Sequence, residues 1–183
     1  MSIAVTGGCG FIGSAIVKEL NNQGLMDIDI IDFAGEDERW RNLSGLAFGE
    51  FLDPNDGVFD PANYEVVFIL GADSSTGITF QQATEDYRNA LSIFERVDPE
   101  ETRVIYASSA GTYGIDGRTY SDEAHASELI PKSPYAMCKN MIDMYVSEKC
   151  QNVYGVKYSN VFGPGEYHKG KMASMIMQWY NMI

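Results

Sequence analysis

Basic residues are scarce in this chain. Thirteen Lys and Arg stand against 26 Asp and Glu among 183 residues, a formal net charge of -13. A nucleic-acid partner is therefore not expected, because neutralising phosphates takes clustered Lys and Arg. An anionic ligand would need local positive charge set against this acidic background. Long apolar runs are also missing. None approaches the ~20 residues that cross a bilayer, so no membrane association is expected. The first apolar run starts at Ser2 and leaves no stretch for a signal peptide ahead of it. Cysteine is sparse as well. Cys9, Cys138 and Cys150 are odd in number and lack metal-ligand spacing, so they read as reduced thiols of a cytoplasmic protein with no metal site. Repeats, low-complexity segments and linkers are absent, and a single domain over residues 1–183 is expected. With 45% apolar residues the chain is long enough to fill one core.

The most informative stretch is Ser2-Ile3-Ala4-Val5-Thr6-Gly7-Gly8-Cys9-Gly10-Phe11-Ile12-Gly13. A short apolar run stops at a glycine cluster, and helical periodicity (Ile12, Ile16, Val17, Leu20) begins inside it. This is strand, tight turn, helix. Glycine suits such a turn for three separate reasons: a left-handed backbone, close approach of a pyrophosphate to the main chain, and tight helix–strand packing. The helix start then offers free N–H groups and a positive dipole end to phosphates. A glycine pattern alone is weak. Its context strengthens it, because the apolar run Ile28-Asp29-Ile30-Ile31 ends in Asp32, about 20 residues after the last glycine, where an acid can accept from ribose hydroxyls. Dinucleotide binding follows.

Further on, Leu46 to Leu52 is a candidate third strand, and residues 65–72 form a continuous apolar run of the buried parallel type. Phe80 to Val97 and Ser133 to Gln151 read as helices, the second with Ser133 as cap and Pro134 in its first turn. Arg103 to Ala107 and Val153 to Ser159 read as strands, and Met172 to Ile183 as a last, very apolar helix. Strands alternating with helices predict an α/β fold, a doubly wound parallel sheet with ligands at the carboxyl edge of its strands.

Tyr135-Ala136-Met137-Cys138-Lys139 is the second strong signal. Tyr135 and Lys139 lie one turn apart on one helical face. A free tyrosine has a pKa near 10, and an adjacent ammonium or an oxidised nicotinamide ring favours its phenolate, which makes it a usable base. The lysine can also bind ribose hydroxyls. The strand ending in Ser108-Ser109 places a serine hydroxyl where it can hold a substrate oxygen. Ser109, Tyr135 and Lys139 are thus the candidate catalytic group.

These segments resemble the extended short-chain dehydrogenases, the NAD-dependent epimerase/dehydratase group with its Rossmann fold. The resemblance rests on Thr6 to Gly13, Gly71-Ala72-Asp73-Ser74-Ser75-Thr76, Tyr106 to Gly114 and Asn160 to Ser174. Within the group, His168-Lys169-Gly170 followed by Met172-Ala173-Ser174 is similar to the heptose 6-epimerases. That resemblance implies oxidation of a sugar carbon by bound NADP or NAD, then return of the hydride to the other face. It implies a nucleotide-sugar substrate and two acid/base groups, Tyr135 and Lys169. It also implies cofactor contacts at Gly7, Gly10, Phe11, Ile12, Gly13, Asp32, Phe33, Arg39, Leu70, Gly71, Ala72, Asp73, Ser74, Lys139 and Val161, and substrate contacts at Ser109, Asn160 and Lys171. Asp32 favours NAD, whereas Arg39 could pair a 2′-phosphate and suits NADP. The family leans to NADP, and the residues leave both open.

Some positions depart from the family. Lys171 replaces a usual serine, Gln178 a histidine and Tyr87 an asparagine. Family members also continue well past this point, so most of a C-terminal substrate domain is expected to be lacking. Ala110-Gly111-Thr112 offers no carboxylate for eliminating water, which disfavours a dehydratase. A related epimerase or reductase and a non-catalytic dinucleotide-binding module are the competing readings. The two long helices show more apolar surface than one sheet face covers, so a homodimer or higher homo-oligomer is expected. If the glycine turn takes a pyrophosphate, Gly10→Val should abolish NAD or NADP binding in a calorimetric titration while circular dichroism shows the fold intact.

Overall fold

The computed structural model describes residues 1–182 except 34, 36, 73, 74, 76 and 115–119. The chain groups into two compact units, Met1–Gly71 with Asn160–Ile183, and Ala72–Ser159. Every described strand pair is parallel.

The first unit holds β1 (Ile3–Thr6), α1 (Phe11–Asn22), β2 (Ile28–Ile31), β3 (Phe51–Leu52) and β4 (Val66–Ile69), in sheet order β3-β2-β1-β4. The chain steps from β1 outward to β2 and β3, then returns to the other side of β1 as β4. Such a reversal opens a crevice at the carboxyl ends of the two strands that flank it. Ile3 is in register with both Ile28 and Val66. Ile3, Ala4 and Val5 are at most 1% exposed, so β1 is covered on both faces, as its unbroken apolar run requires. Val17 of α1 joins Ile3, Val5, Ile28 and Ile30 in one core cluster.

The expected third strand shrinks to two residues, because Gly49 and Glu50 engage the β2 edge through Ile28 and Asp29 before the ladder starts. The expected last helix shrinks to α4 (Met175–Tyr180). Gly170 sits at φ 50°, ψ -122°, and Ser174 caps the helix by accepting from the Met177 amide. Met175, Ile176, Trp179 and Tyr180 of α4 are all at least half exposed.

The second unit holds α2 (Phe80–Phe94), β5 (Arg103–Ser109), α3 (Pro134–Lys149) and β6 (Val153–Tyr158). A capping box of Thr79 and Gln82 starts α2, and the Ser133 hydroxyl starts α3 by accepting from the Ala136 amide. β5 runs two residues past its expected end and carries Ser108 and Ser109 in register with Lys157 and Tyr158. Tyr106 points from β5 under Phe94, with ring centroids 5.8 Å apart at 64°. Its hydroxyl crosses toward β6 at Gly155, where an added Cβ would lie 2.5 Å from that oxygen. Because a buried hydrogen bond to Asp143 holds the phenol, it cannot swing aside cheaply. Gly155→Ala should therefore destabilise the chain by about 1–3 kcal/mol in urea unfolding. The ring carbons Cζ and Cε1 would also lie 2.6 and 3.0 Å from that Cβ, so pairing the change with Tyr106→Phe should leave most of the loss in place.

Candidate active site

The carboxyl end of β1 enters the turn at Gly7, φ 70°, where a Cβ would meet the amide nitrogen and Cα of Gly71 at 2.5 and 2.6 Å. The two strand ends flanking the crevice thus touch through two glycines. A Cβ on Gly13 would strike the Gly7 carbonyl oxygen, so glycine there lets α1 pack against the turn. Gly10 is the N-cap of α1 with no side-chain cap, and no acid occupies the first turn. The opening amides of α1 are free to bind an anion. The residues present fit a pyrophosphate.

Asp32, 4% exposed, follows β2. Its Oδ2 accepts from the Cys9 amide at 3.0 Å, and its Oδ1 accepts from the Phe33 amide at 2.8 Å and from Arg39 Nη1 at 3.2 Å. Arg39 also donates through Nε to Asp37 at 2.7 Å. The acid suited to ribose hydroxyls and the guanidinium suited to a 2′-phosphate therefore lie side by side. Burial first, then the Asp32 charge, pushes the Cys9 thiol up to about 12, so Cys9 stays an inert thiol.

Ser109 ends β5 and Tyr135 sits at the start of α3, close enough for the Ser109 hydroxyl to act on the Tyr135 phenol. Burial raises the Tyr135 phenol; the Ser109 hydroxyl opposes this and Asp86 adds to it. The Lys139 ammonium, expected to favour the phenolate, stands next on this helical face. It lies 5.9 Å from the Tyr135 ring centroid, one turn further along α3. Lys139 is 7% exposed. Burial lowers its pKa, while Asp86, Asp143 and Cys138 act in the other direction. Both groups are thereby biased towards their neutral forms.

Below this group lies a polar network that the motifs do not announce. Asp143 accepts from Tyr106 Oη at 2.7 Å and Ser108 Oγ at 2.9 Å, and forms an ion pair with Lys157. Lys157 Nζ also donates to Thr112 Oγ1 at 2.7 Å, and the Thr112 hydroxyl donates to the Ser109 carbonyl at 2.8 Å.

In the first unit, residues 163–174 form a second polar construction. Glu166, 1% exposed, accepts from the Gly163 amide at 2.8 Å and from the Ser174 amide and hydroxyl at 2.5 and 2.9 Å. Burial acts to raise its pKa, but these bonds and the Lys169 charge hold the carboxyl below its ordinary value. Asn42 donates to the carbonyls of Cys9 and Gly165, at 3.0 and 3.3 Å, and accepts from the Tyr167 hydroxyl at 2.8 Å. One side chain so ties the glycine turn to the segment carrying Lys169, whose Nζ lies 5.3 Å from the Phe11 ring centroid. His168 Nδ1 is buried without a partner among the described residues, and burial chiefly lowers its pKa.

The first unit brings together Gly7, Gly10, Gly13, Phe11, Asp32, Arg39, Leu70, Gly71 and Lys169. The second brings together Ser109, Tyr135 and Lys139. Phe33, Asn160, Val161 and Lys171 are exposed, Ile12 and Ala72 are half-buried, and Asp73 and Ser74 lie outside the described residues. Sequence reasoning missed Asp143, Lys157, Asn42 and Glu166. Asp143 had a signal: it repeats the Tyr135–Lys139 spacing once more along one helical face.

Residues 3–183 match the family model described as the NAD dependent epimerase/dehydratase family. The chain is 34% identical to the ADP-L-glycero-D-manno-heptose-6-epimerase of Fusobacterium nucleatum, over 98% of its own length and 58% of that protein. It is 35% identical to the protein of the same name from Brachyspira hyodysenteriae, over 99% of its own length and 61% of that one. The chain thus spans about three-fifths of the length of the curated relatives it matches. Among solved structures, the Helicobacter pylori ADP-L-glycero-D-manno-heptose-6-epimerase is similar with a TM-score of 0.72 and 28% identity, covering 97% of this chain and 60% of that one. The UDP-N-acetylglucosamine 4-epimerase of Methanobrevibacter ruminantium is similar with a TM-score of 0.75 and 25% identity, covering 98% and 61%. With the doubly wound parallel fold, the uncapped glycine turn and the Ser-Tyr-Lys group in place, these matches show that the chain belongs to the NAD-dependent epimerase/dehydratase family.

Proposed function

We propose that the chain is the cofactor-binding portion of a nucleotide-sugar epimerase that oxidises and re-reduces one sugar carbon, with an ADP-activated heptose as the first-choice substrate. The observation that carries this reading is the placement of Ser109 at the end of β5 beside Tyr135 at the start of α3, with Lys139 buried one turn behind it. When bound, NAD or NADP supplies the acceptor and donor of the transferred hydride. The chain's own residues do the rest.

The uncapped first turn of α1 binds the pyrophosphate, with Phe11, Ile12, Leu70, Gly71, Ala72 and Val161 around the dinucleotide. Asp32 accepts from ribose hydroxyls, and Arg39 stands ready for a 2′-phosphate, which keeps both cofactors in play. Ser109 orients the sugar oxygen toward Tyr135. Tyr135, biased towards the phenol by burial, is the group placed to take the alcohol proton after its own proton has passed to solvent, and a cation such as an oxidised nicotinamide ring would favour the phenolate that this requires. Lys139 donates to the cofactor ribose. Inverting a carbon through a ketone calls for proton transfer on each face of the sugar. Lys169, steadied by Phe11 and by the Glu166-held segment, is the second such group. Asn160 and Lys171 are the remaining substrate contacts. Met137 of α3 and Phe80 of α2 are exposed apolar residues that support self-association through these helices.

Three outcomes follow. Tyr135→Phe and Lys169→Met should each lower turnover of ADP-heptose by on the order of 10²–10⁴ while the cofactor dissociation constant stays near parental. Parental turnover in Lys169→Met would remove the second base from the account. Cofactor binding by the unmodified chain without any turnover of the sugar nucleotide would favour a binding module instead. Sedimentation at micromolar concentration should show a species larger than the 20.3 kDa monomer.

A further inference from the structure

Asp143 and Lys157 belong to none of the roles assigned above, yet they join every piece of the second unit that the chemistry needs. Asp143 sits on α3, one turn beyond Lys139 and two beyond Tyr135, and is 9% exposed. It accepts from two β5 side chains, Tyr106 and Ser108, and pairs with Lys157 of β6. Lys157 in turn reaches Thr112, whose hydroxyl donates to the Ser109 carbonyl, and lies 5.3 Å from the Tyr113 ring centroid. A buried carboxylate met by three donors is a rigid joint, because leaving any donor unpaired there is costly. A buried ion pair is a poor device for stability alone, since well-packed apolar residues commonly do as well. Its presence here calls for a second use.

We propose that Asp143, anchored by Lys157, is a positioning residue of the Ser109–Tyr135–Lys139 group: it locks the end of β5 to the catalytic face of α3 and supplies an anion one turn from the Lys139 ammonium. This rests on the reading that Lys139 serves the cofactor and Tyr135 the substrate. The groups acting on Lys139 are Asp86 from α2, and Asp143 and Cys138 from its own helix, against a desolvation that favours the neutral amine. Without its two anions, desolvation would act on Lys139 with less opposition, and the ammonium suited to ribose hydroxyls would be less favoured. Lys157 partly offsets the Asp143 charge and, through Thr112, reaches the carbonyl of Ser109.

The test is nuclear magnetic resonance on the whole chain, isotope-labelled at the lysine ε-carbon, with the Lys139 signal identified by its loss in Lys139→Met. Asp143→Asn keeps the side chain's shape and deletes its charge. The ammonium-to-amine ratio of Lys139 at fixed alkaline pH should fall by roughly tenfold or more, the size expected for losing a charge one helical turn away in partly desolvated surroundings. Lys157→Met should move the ratio the other way. A purely structural role makes the opposite prediction for Asp143→Asn: a loosened joint admits water, relieves desolvation and raises the ammonium fraction. A rise, or no change, in Asp143→Asn overturns the proposal. Should that single variant not fold, the double variant Asp143→Asn with Lys157→Met orphans no buried charge, and it is judged against Lys157→Met alone: the ratio should be lower in the double variant, and an equal or higher ratio overturns the proposal. None of these signals depends on turnover. A failure of the epimerase reading would show instead as unchanged turnover in Tyr135→Phe.

Discussion

The first unit depends on one close approach: the backbone of Gly7 against that of Gly71, with no room for a Cβ between them. The contact lets β1 end abruptly at a positive φ, brings the ends of β1 and β4 together and turns α1 so that its first amides face outward. A side chain at Gly7 would have to push β4 away, and one at Gly13 would push α1 off the turn. The loss would fall on the geometry of the anion site and, through Cys9, reach the core of Ile3, Val5, Val17, Ile28 and Ile30 that the turn adjoins. The acidic chain can still attract a dinucleotide because the attraction is local. Its source is the free amides of the α1 first turn, whose dipole effect falls off within a turn.

The second unit solves a different problem, that of keeping ionisable groups buried. Tyr135 and Lys139 are both pushed toward neutrality by desolvation, which is the state of a site at rest rather than one poised for catalysis. Desolvation also strengthens whatever charge arrives later, since a cation beside a buried phenol acts through a lower dielectric than water. Asp86 and Asp143 limit how far Lys139 drifts. Under the proposed function, such a unit would let a cofactor's charge act on a proton acceptor that burial otherwise favours as a phenol.

Much of this was legible in the sequence because the signals were local. The glycine spacing, the acid at Asp32 and the helix starts at Ser133-Pro134 each depend on neighbours within a turn or two, and the elements lie where those signals put them. What was not legible is long-range. Asn42 binds the carbonyls of Cys9 and Gly165, 33 and 123 residues away, and nothing about an asparagine in a polar loop announces that. Lys157 was hidden inside a strand pattern, and Glu166 inside a motif whose lysine draws the eye. The start of the last helix was overread because apolar content was taken without the cap at Ser174, which opens the helix three residues later than expected. The side-by-side placement of Asp32 and Arg39 could not be seen either, since the chain alone shows two residues with opposite cofactor preferences.

The central claim is that the bare first turn of α1 receives a dinucleotide pyrophosphate. Titrating NAD and NADP separately into the nitrogen-15-labelled chain tests it most directly, with each backbone amide followed by its chemical shift. The account predicts that the amides of Phe11, Ile12 and Gly13 shift most among the described residues of the first unit, with Phe33 and Arg39 following. Saturation by either nucleotide with those amides unmoved would contradict it.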